Sequence, residues 1–247
     1  MTTDKNELKS AVETKLKKMF FSAPVINNYM QRVSLNELKS LEQLLDEEQQ
    51  MRTVARRARF LKSANFPVMK TFDEYDFSNL IFPNKLGQDE MLSLDFIDQH
   101  KTLVFFGGCG SGKTHAMTAL GIKACNSDYK VKFFTLTSLV MYLKNAKANG
   151  TLERAYKILQ NVNLLCIDEF GYLPLDLESG QLLFTVISNA YERQSLIITT
   201  NLPFNDWGPL FSDDQLAAAI IDRIVHYGHL INTGNKDWRL EHALMKD

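Results

Sequence analysis

Residues 102–114 read TLVFFGGCGSGKT, and this stretch decides the fold. The apolar run at 102–106 has the length and composition of a buried strand, and the last two residues open a helical pattern that continues to residue 126. Between the two patterns, residues 107–114 form a complete G-x-x-x-x-G-K-[ST] motif in the strand–loop–helix context that it requires. The stretch therefore predicts an α/β domain with a phosphate-binding loop.

The residue types in the loop at 107–114 suit the binding of an anion. Glycines let successive backbone N–H groups turn inward around phosphate oxygens, and the helix that follows points its positive end at the same anion. We expect Lys113 to reach the β- and γ-phosphates of ATP and the Thr114 hydroxyl to bind Mg²⁺. His115 is expected mainly to pack beside the nucleotide. The predicted nucleotide-binding residues are Gly107, Gly108, Cys109, Gly110, Ser111, Gly112, Lys113, Thr114 and His115.

A second candidate site element is the acidic pair Asp168-Glu169, which ends the apolar run 164–167. Open α/β sheets bind ligands at the carboxyl ends of their strands. We expect Asp168 to hold Mg²⁺ through water and Glu169 to act as the general base that polarises the attacking water. The alternative is a pair of surface charges without a role.

Asn201 follows a further apolar run, Ile197-Ile198-Thr199-Thr200. If this strand neighbours the Asp168 strand, Asn201 is placed to orient the same water beside the γ-phosphate. Taken alone, Thr-Thr-Asn at a strand end is more often a turn.

Arg223 lies in an amphipathic helical pattern at 216–226. One interpretation is a salt bridge to Asp222 or another neighbour. The other is an arginine finger that acts on the ATP of an adjacent subunit and stabilises charge in the transition state. Arg239 is a weaker candidate for a second phosphate contact.

The remaining pattern alternates between strand and helix. Apolar runs at 102–106, 131–135, 163–168 and 196–200 predict strands, and helical patterns fall between them at 113–126, 137–148, 152–161 and 178–192. Continuous apolar strands separated by helices predict a parallel sheet that is covered on both faces.

The first 65 residues have the composition of a small all-helical domain, with no glycine. Ser34 and Glu37 form a predicted capping box, and the leucines that follow indicate one long helix or two in succession. We expect that helix to end at Asn65-Phe66-Pro67, since the residue before a proline disfavours the α region. The predicted organisation is a helical domain at 1–65, a linker and the start of the ATPase domain at 66–100, and the ATPase domain at 101–247.

The bulk composition is that of a globular protein, with 45% apolar and 23% charged residues and a net charge of −1. Three unclustered cysteines, no signal pattern and no apolar run of membrane-spanning length predict a soluble, cytoplasmic protein without a membrane partner. Residues 1–70 are net basic and the rest is net acidic, which indicates an anionic partner or only a solvated helical face.

The chain resembles the IstB-type transposition helper ATPases, relatives of the DnaC and DnaI helicase loaders within the AAA+ class. The resemblance runs from about residue 50 to 240. It rests on FPVMKTFDEYDF (66–77), GSGKTH (110–115), NGTLERAYKIL (149–159), IDEFGYLPLD (167–176), TTNLPFNDWG (199–208) and LAAAIIDRIVH (216–226). It implies an AAA+ fold, ATP-dependent self-association on DNA, and delivery of target DNA to a partner transposase. The chain after Arg223 is shorter than the helical lid that many AAA+ proteins carry.

Two basic clusters compete for the DNA contact. The first, in the N-terminal helices, includes Arg56 and Arg57. The second lies on a helical pair at 138–160, where initiator-type AAA+ proteins place DNA-facing helices, and comprises Lys144, Lys147, Arg154 and Lys157. We favour the second cluster for duplex DNA, while the first could equally bind the transposase or a neighbouring subunit.

Two other functions compete with that of a transposition helper. A DnaC/DnaI-type helicase loader would prefer single-stranded DNA. A small-molecule kinase would need an acceptor, whereas the Asp168-Glu169 pair suits water as the nucleophile.

Overall fold

The computed structural model describes residues 2–73, 75–83 and 86–238. It divides into two compact units, Met1–Ala58 and Arg59–Asp247. The sequence had placed the boundary after residue 65. The division comes earlier because Ala64 is buried in the core of the second unit, with Phe60 and Leu61 packed beside it.

The helices and strands follow the alternation that the sequence predicts. The helices are α1 (Thr2–Lys18), α2 (Ala23–Arg32), α3 (Leu35–Ala64), α4 (Gln88–Ser93), α5 (Asp95–Asp98), α6 (Lys113–Asn126), α7 (Leu136–Ala148), α8 (Leu152–Gln160), α9 (Leu177–Ala190) and α10 (Asp214–His226). The strands are β1 (Thr102–Phe106), β2 (Val131–Thr135), β3 (Leu164–Phe170), β4 (Ser195–Thr200) and β5 (Gly228–Asn232).

The first unit contains α1, α2 and most of α3, packed around a small apolar core. The core residues are Val12, Leu16, Ile26, Val33, Leu38 and Leu45. The predicted capping box is confirmed, because the Ser34 N–H donates to Glu37 Oε2 at 2.8 Å and the Glu37 N–H donates to Ser34 Oγ at 3.4 Å. The leucine pattern forms one helix, which ends where Asn65 takes a left-handed φ of +63°.

The second unit is built on a five-stranded sheet with the order β2-β3-β4-β1-β5, in which all four pairings are parallel. Helices cover both faces. Val104, Leu165 and Ile167 face a core shared with α7 to α10, whereas Phe105 and Cys166 face a core shared with α6 and residues 80–97. This is the covered parallel sheet that the sequence predicts.

Strand β5 was not predicted. Its residues Gly228, His229 and Asn232 break the apolar pattern. It pairs along its length with β1 at one edge of the sheet, and Asn232 adds a single antiparallel bridge to Ile81. An edge strand is half exposed, so it does not need the continuous apolar run by which the inner strands were recognised. Within the described ranges, no helix is long and apolar enough to cross a membrane.

Candidate nucleotide site

The phosphate-binding loop connects the carboxyl end of β1 to the start of α6. Gly110 and Gly112 have φ angles of +71° and +88°, a left-handed region that side chains with a Cβ rarely occupy. These turns point backbone N–H groups to the inside of the loop, as anion binding requires. The Lys113 Nζ donates to the carbonyls of Gly107 at 2.8 Å and Gly108 at 2.6 Å, so the ammonium group lies against the same loop.

Asp168 is held beside the loop by two hydroxyl groups. Thr114 Oγ1 donates to Asp168 Oδ1 at 3.0 Å, and the Thr199 hydroxyl donates to the same oxygen. Thr199 also accepts the backbone N–H of Glu169 at 3.0 Å. Strand β4 lies between β1 and β3, which places Thr199 where it connects both carboxylate residues.

Glu169 stands in a local irregularity of the sheet. The register of β3 against β4 shifts between Ile167 and Phe170, and Glu169 has a φ of +59°. Such a bulge re-aims a side chain, and a left-handed non-glycine residue stores strain that is often found at functional sites. Asp168 is therefore buried while Glu169 is exposed. Behind them, the ring of Phe170 stacks on the buried Trp207 at 4.3 Å.

The side chains of Thr114 and Asp168 fit a magnesium ion. Both offer hard oxygen atoms, and Mg²⁺ in nucleotide sites is held by one or two protein groups together with phosphate oxygens and water. The two predicted metal ligands are thus brought together by the fold.

Asn201 follows directly on β4, which is the neighbour of β3 that the water-orienting role requires. Its side chain is exposed at the carboxyl end of the sheet, where Glu169 also lies. The role itself stays a prediction.

Arg223 lies at the other end of the sheet. Its Nη1 donates to the Ala219 carbonyl at 2.8 Å and its guanidinium lies 4.8 Å from the centre of the Phe184 ring, in place of the salt bridge to Asp222. It lines a small pocket with Thr102, the first residue of β1, whereas the phosphate-binding loop follows the last residue of that strand. Arg223 therefore does not reach the loop of its own chain.

A cavity of about 400 Å³ extends from the loop to the tract 66–79, which was expected to be a linker. The His115 Nε2 is 2.7 Å from the Thr71 carbonyl oxygen, and the rings of His115 and Tyr75 are 5.1 Å apart. Burial raises the pKa of Tyr75 to about 12, so its phenol stays neutral. The cavity is lined by Pro67, Val68, Lys70, Tyr75, Asp76, Asn79, Gly110, Ser111, Gly112, Lys113, Thr114, His115, Thr118, Thr233, Lys236 and Trp238.

The segment after β5 also borders the loop. Ser111 Oγ and the buried Thr233 Oγ1 are 2.6 Å apart, and the Gly108 N–H donates to the Gly234 carbonyl at 3.0 Å. No local pattern marks these contacts, because they join residues far apart in the chain. Arg239 lies outside the described residues.

The residues proposed for DNA binding are distributed over three helices. On α7, Lys144 pairs with Asp176 at 2.7 Å and Lys147 pairs with Glu178 at 2.6 Å, so carboxylates already offset part of their charge. Arg154 and Lys157 are exposed on α8. On α3, Arg56 is exposed and Arg57 is half-buried.

The strand order, the loop and the paired carboxylates define the class, which is an AAA+ P-loop protein that binds ATP. The chain belongs to the family of IstB-like ATP binding proteins, whose family model matches residues 9–245. This confirms the resemblance inferred from the sequence.

Similar proteins agree with that assignment. An ATP-binding protein of the insertion sequence IS21 from Pseudomonas aeruginosa is 36% identical over 73% of this chain and 68% of its own length. That of IS232 from Bacillus thuringiensis subsp. berliner is 37% identical over 76% of this chain and 75% of its own length. A crystal structure of DnaI has a TM-score of 0.52 at 17% identity, covering 68% of this chain and 89% of that chain, which supports the AAA+ fold.

Proposed function

We propose that the protein is a Mg²⁺-dependent ATPase that assembles with ATP into a homo-oligomer on duplex DNA and delivers this DNA to a partner transposase. The observation that carries the proposal is the separation of Arg223 from its own phosphate-binding loop. A complete hydrolytic site then needs the loop and carboxylates of one copy and the arginine of another. The insertion-sequence relatives suggest transposition as the process.

In this proposal, Glu169 accepts the proton of the attacking water and Asn201 orients that water. Lys113 and the Arg223 of a neighbouring copy stabilise the negative charge that develops on the transferred phosphoryl group. Thr114 and Asp168 would hold Mg²⁺, which would supply positive charge to offset the negative charge of the phosphates. Thr199 fixes Asp168 and the Glu169 backbone relative to each other.

DNA is proposed to lie against the α7–α8 helical pair. Arg154 and Lys157 supply positive charge there, and Lys144 and Lys147 can exchange their exposed ion pairs for phosphates at little cost. Such contacts read no sequence, and each one adds to the salt dependence of binding.

Light scattering by the Glu169→Gln protein tests assembly, because this variant should bind ATP without hydrolysing it. We expect a large particle only when ATP and duplex DNA are both present, and none with Lys113→Ala. Assembly only on single-stranded DNA would favour a helicase loader instead. Delivery is tested by adding the cognate transposase, whose strand transfer should go preferentially into the DNA that the particle holds.

A further inference from the structure

Residues 233–238, the β5 extension, lie against the phosphate-binding loop. The Thr233 N–H donates to the Phe106 carbonyl at 2.7 Å, and the Gly108 N–H donates to the Gly234 carbonyl at 3.0 Å. These two bonds continue the pairing of β5 with β1 beyond the last residues of both strands. The start of the loop is therefore held as a continuation of the sheet.

The β5 extension also approaches two glycines of the loop closely. A Cβ atom on Gly107 would collide with the Thr233 hydroxyl group and would lie 2.6 Å from the Gly234 carbonyl oxygen. The Gly110 carbonyl accepts the backbone N–H of Trp238 at 3.2 Å. In a closely packed interior such contacts leave the loop little room to shift while the extension stays in place.

A pair of hydroxyl groups adds a side-chain connection between the extension and the loop. Thr233 Oγ1 is 2.6 Å from Ser111 Oγ and 3.1 Å from the Phe106 carbonyl oxygen. Ser111 Oγ is also 2.8 Å from the Gly108 carbonyl oxygen. Each hydroxyl group carries one proton and can also accept, so the two protons are shared among the three contacts as one network. The network connects Ser111 to the end of β1.

The burial of Thr233 determines how it can act on a nucleotide. Its side chain borders the cavity but is 0% exposed, so it is not available for direct contact with a ligand. Its partner Ser111 immediately precedes residues 112–114, which are expected to surround the phosphates. A loop that is already held in its binding shape loses less conformational entropy when the ligand arrives, and this raises the affinity.

We propose that Thr233 is a positioning residue for ATP. Through Ser111 and the end of β1, it holds the phosphate-binding loop in the shape that receives the phosphates. The inference rests on the ATP site of the proposed function, but it requires only that ATP binds. Hydrolysis, DNA and the transposase play no part in it, so a failure of the proposed function in any of these would leave it unaffected.

Titration with a fluorescent ATP analogue, without DNA, tests the role of the hydroxyl group. Thr233→Ala should weaken the affinity by about tenfold, whereas Thr233→Ser should keep the parental affinity, because these two variants differ in that one oxygen atom. Thr102→Ala is the matched control, since Thr102 is 5% exposed at the opposite end of β1 and should have no effect. Thermal unfolding without nucleotide checks that each variant is folded. Equal affinities for the alanine and serine variants at residue 233 would overturn the proposal.

A double-mutant cycle tests whether Thr233 acts through Ser111. In a chain that already carries Ser111→Ala, the further change Thr233→Ala should weaken the affinity by less than about twofold, because the partner of its hydroxyl group is gone. A second loss of about tenfold would show that Thr233 acts independently of Ser111, and this would contradict the proposed route.

The parental chain carries its own reporter of the extension, which needs no change at Thr233. It has two tryptophans, of which Trp207 is 0% exposed and Trp238 is 47% exposed on the cavity. ATP should change the tryptophan emission of the parental chain, and Trp238→Phe should remove that change. Unchanged emission of the parental chain at saturating ATP would place the β5 extension away from the bound nucleotide and would also overturn the proposal.

Discussion

The two ends of the parallel sheet differ in what they hold. At the carboxyl end, Lys113 lies against the phosphate-binding loop, and hydrogen bonds connect Thr114, Asp168, Thr199 and Glu169. At the amino end, Arg223 lies on an aromatic ring of its own chain. A five-residue strand such as β1 spans about 16 Å, which is too far for one arginine to serve both ends. Under the proposed function, each copy would thus supply the loop of one hydrolytic site and the arginine of another.

Arg223→Ala should strongly reduce hydrolysis although the phosphate-binding loop stays intact, because it removes the proposed contribution of the amino end. We expect ATP hydrolysis to fall by about 10³-fold while ATP binding is kept. Phosphate release and titration with a fluorescent ATP analogue measure the two properties separately.

Mixing Arg223→Ala with Lys113→Ala protein sharpens that prediction. The Lys113→Ala copies should not bind ATP, but they retain Arg223 and can donate it to the nucleotide of the other variant. Hydrolysis should recover in the mixture and not in either variant alone. No recovery at any ratio would argue against action between copies.

Thr199→Val tests the connection at the carboxyl end. The valine keeps the shape of the side chain but leaves Asp168 and the Glu169 N–H each without one partner, which costs about 1–3 kcal/mol. We expect hydrolysis to fall by roughly 10- to 100-fold. Thr199→Ser retains the hydroxyl and should stay close to the parental rate; if both variants behaved alike, Thr199 would act through packing alone.

His115→Ala should have a smaller effect, on binding only. It removes the hydrogen bond to the Thr71 carbonyl and the contact with Tyr75, which hold the tract 66–79 beside the cavity. The loss of about 1 kcal/mol corresponds to a roughly fivefold weaker affinity for ATP at an unchanged maximal rate. A lower maximal rate at saturating ATP would instead place His115 in the hydrolytic step.

The reactivity of the three cysteines should distinguish the exposed phosphate-binding loop from the core around the sheet, and this measurement needs no substitution. Cys109 is exposed in the loop, whereas Cys125 and Cys166 are buried and burial raises the pKa of both thiols, that of Cys125 to about 12. The thiolate is the reactive form, so near pH 8 only Cys109 should be alkylated, and ATP should protect it. Mass spectrometry of the labelled peptides measures this. Equal labelling of all three would contradict the burial.

The sequence predicted four strands and the helices between them to within two residues at each end, because inner parallel strands are continuous apolar runs. It missed β5, whose edge position relaxes that requirement. It also named the residues that carry charge at the site. It did not find Thr199 as the connection between the carboxylates, or Thr233 beside Ser111, because those contacts depend on the strand order, which local patterns do not encode.

The left-handed backbone of Glu169 affects which substitutions at this position selection for stability would favour. A left-handed non-glycine residue costs roughly 1 kcal/mol of folding stability, which glycine at the same position would recover. Selection for heat resistance alone would therefore favour Glu169→Gly and abolish the proposed base. Random libraries that are screened only for thermal stability should therefore accumulate glycine at this position. That result would show that the protein keeps glutamate there for chemistry, at the expense of folding stability.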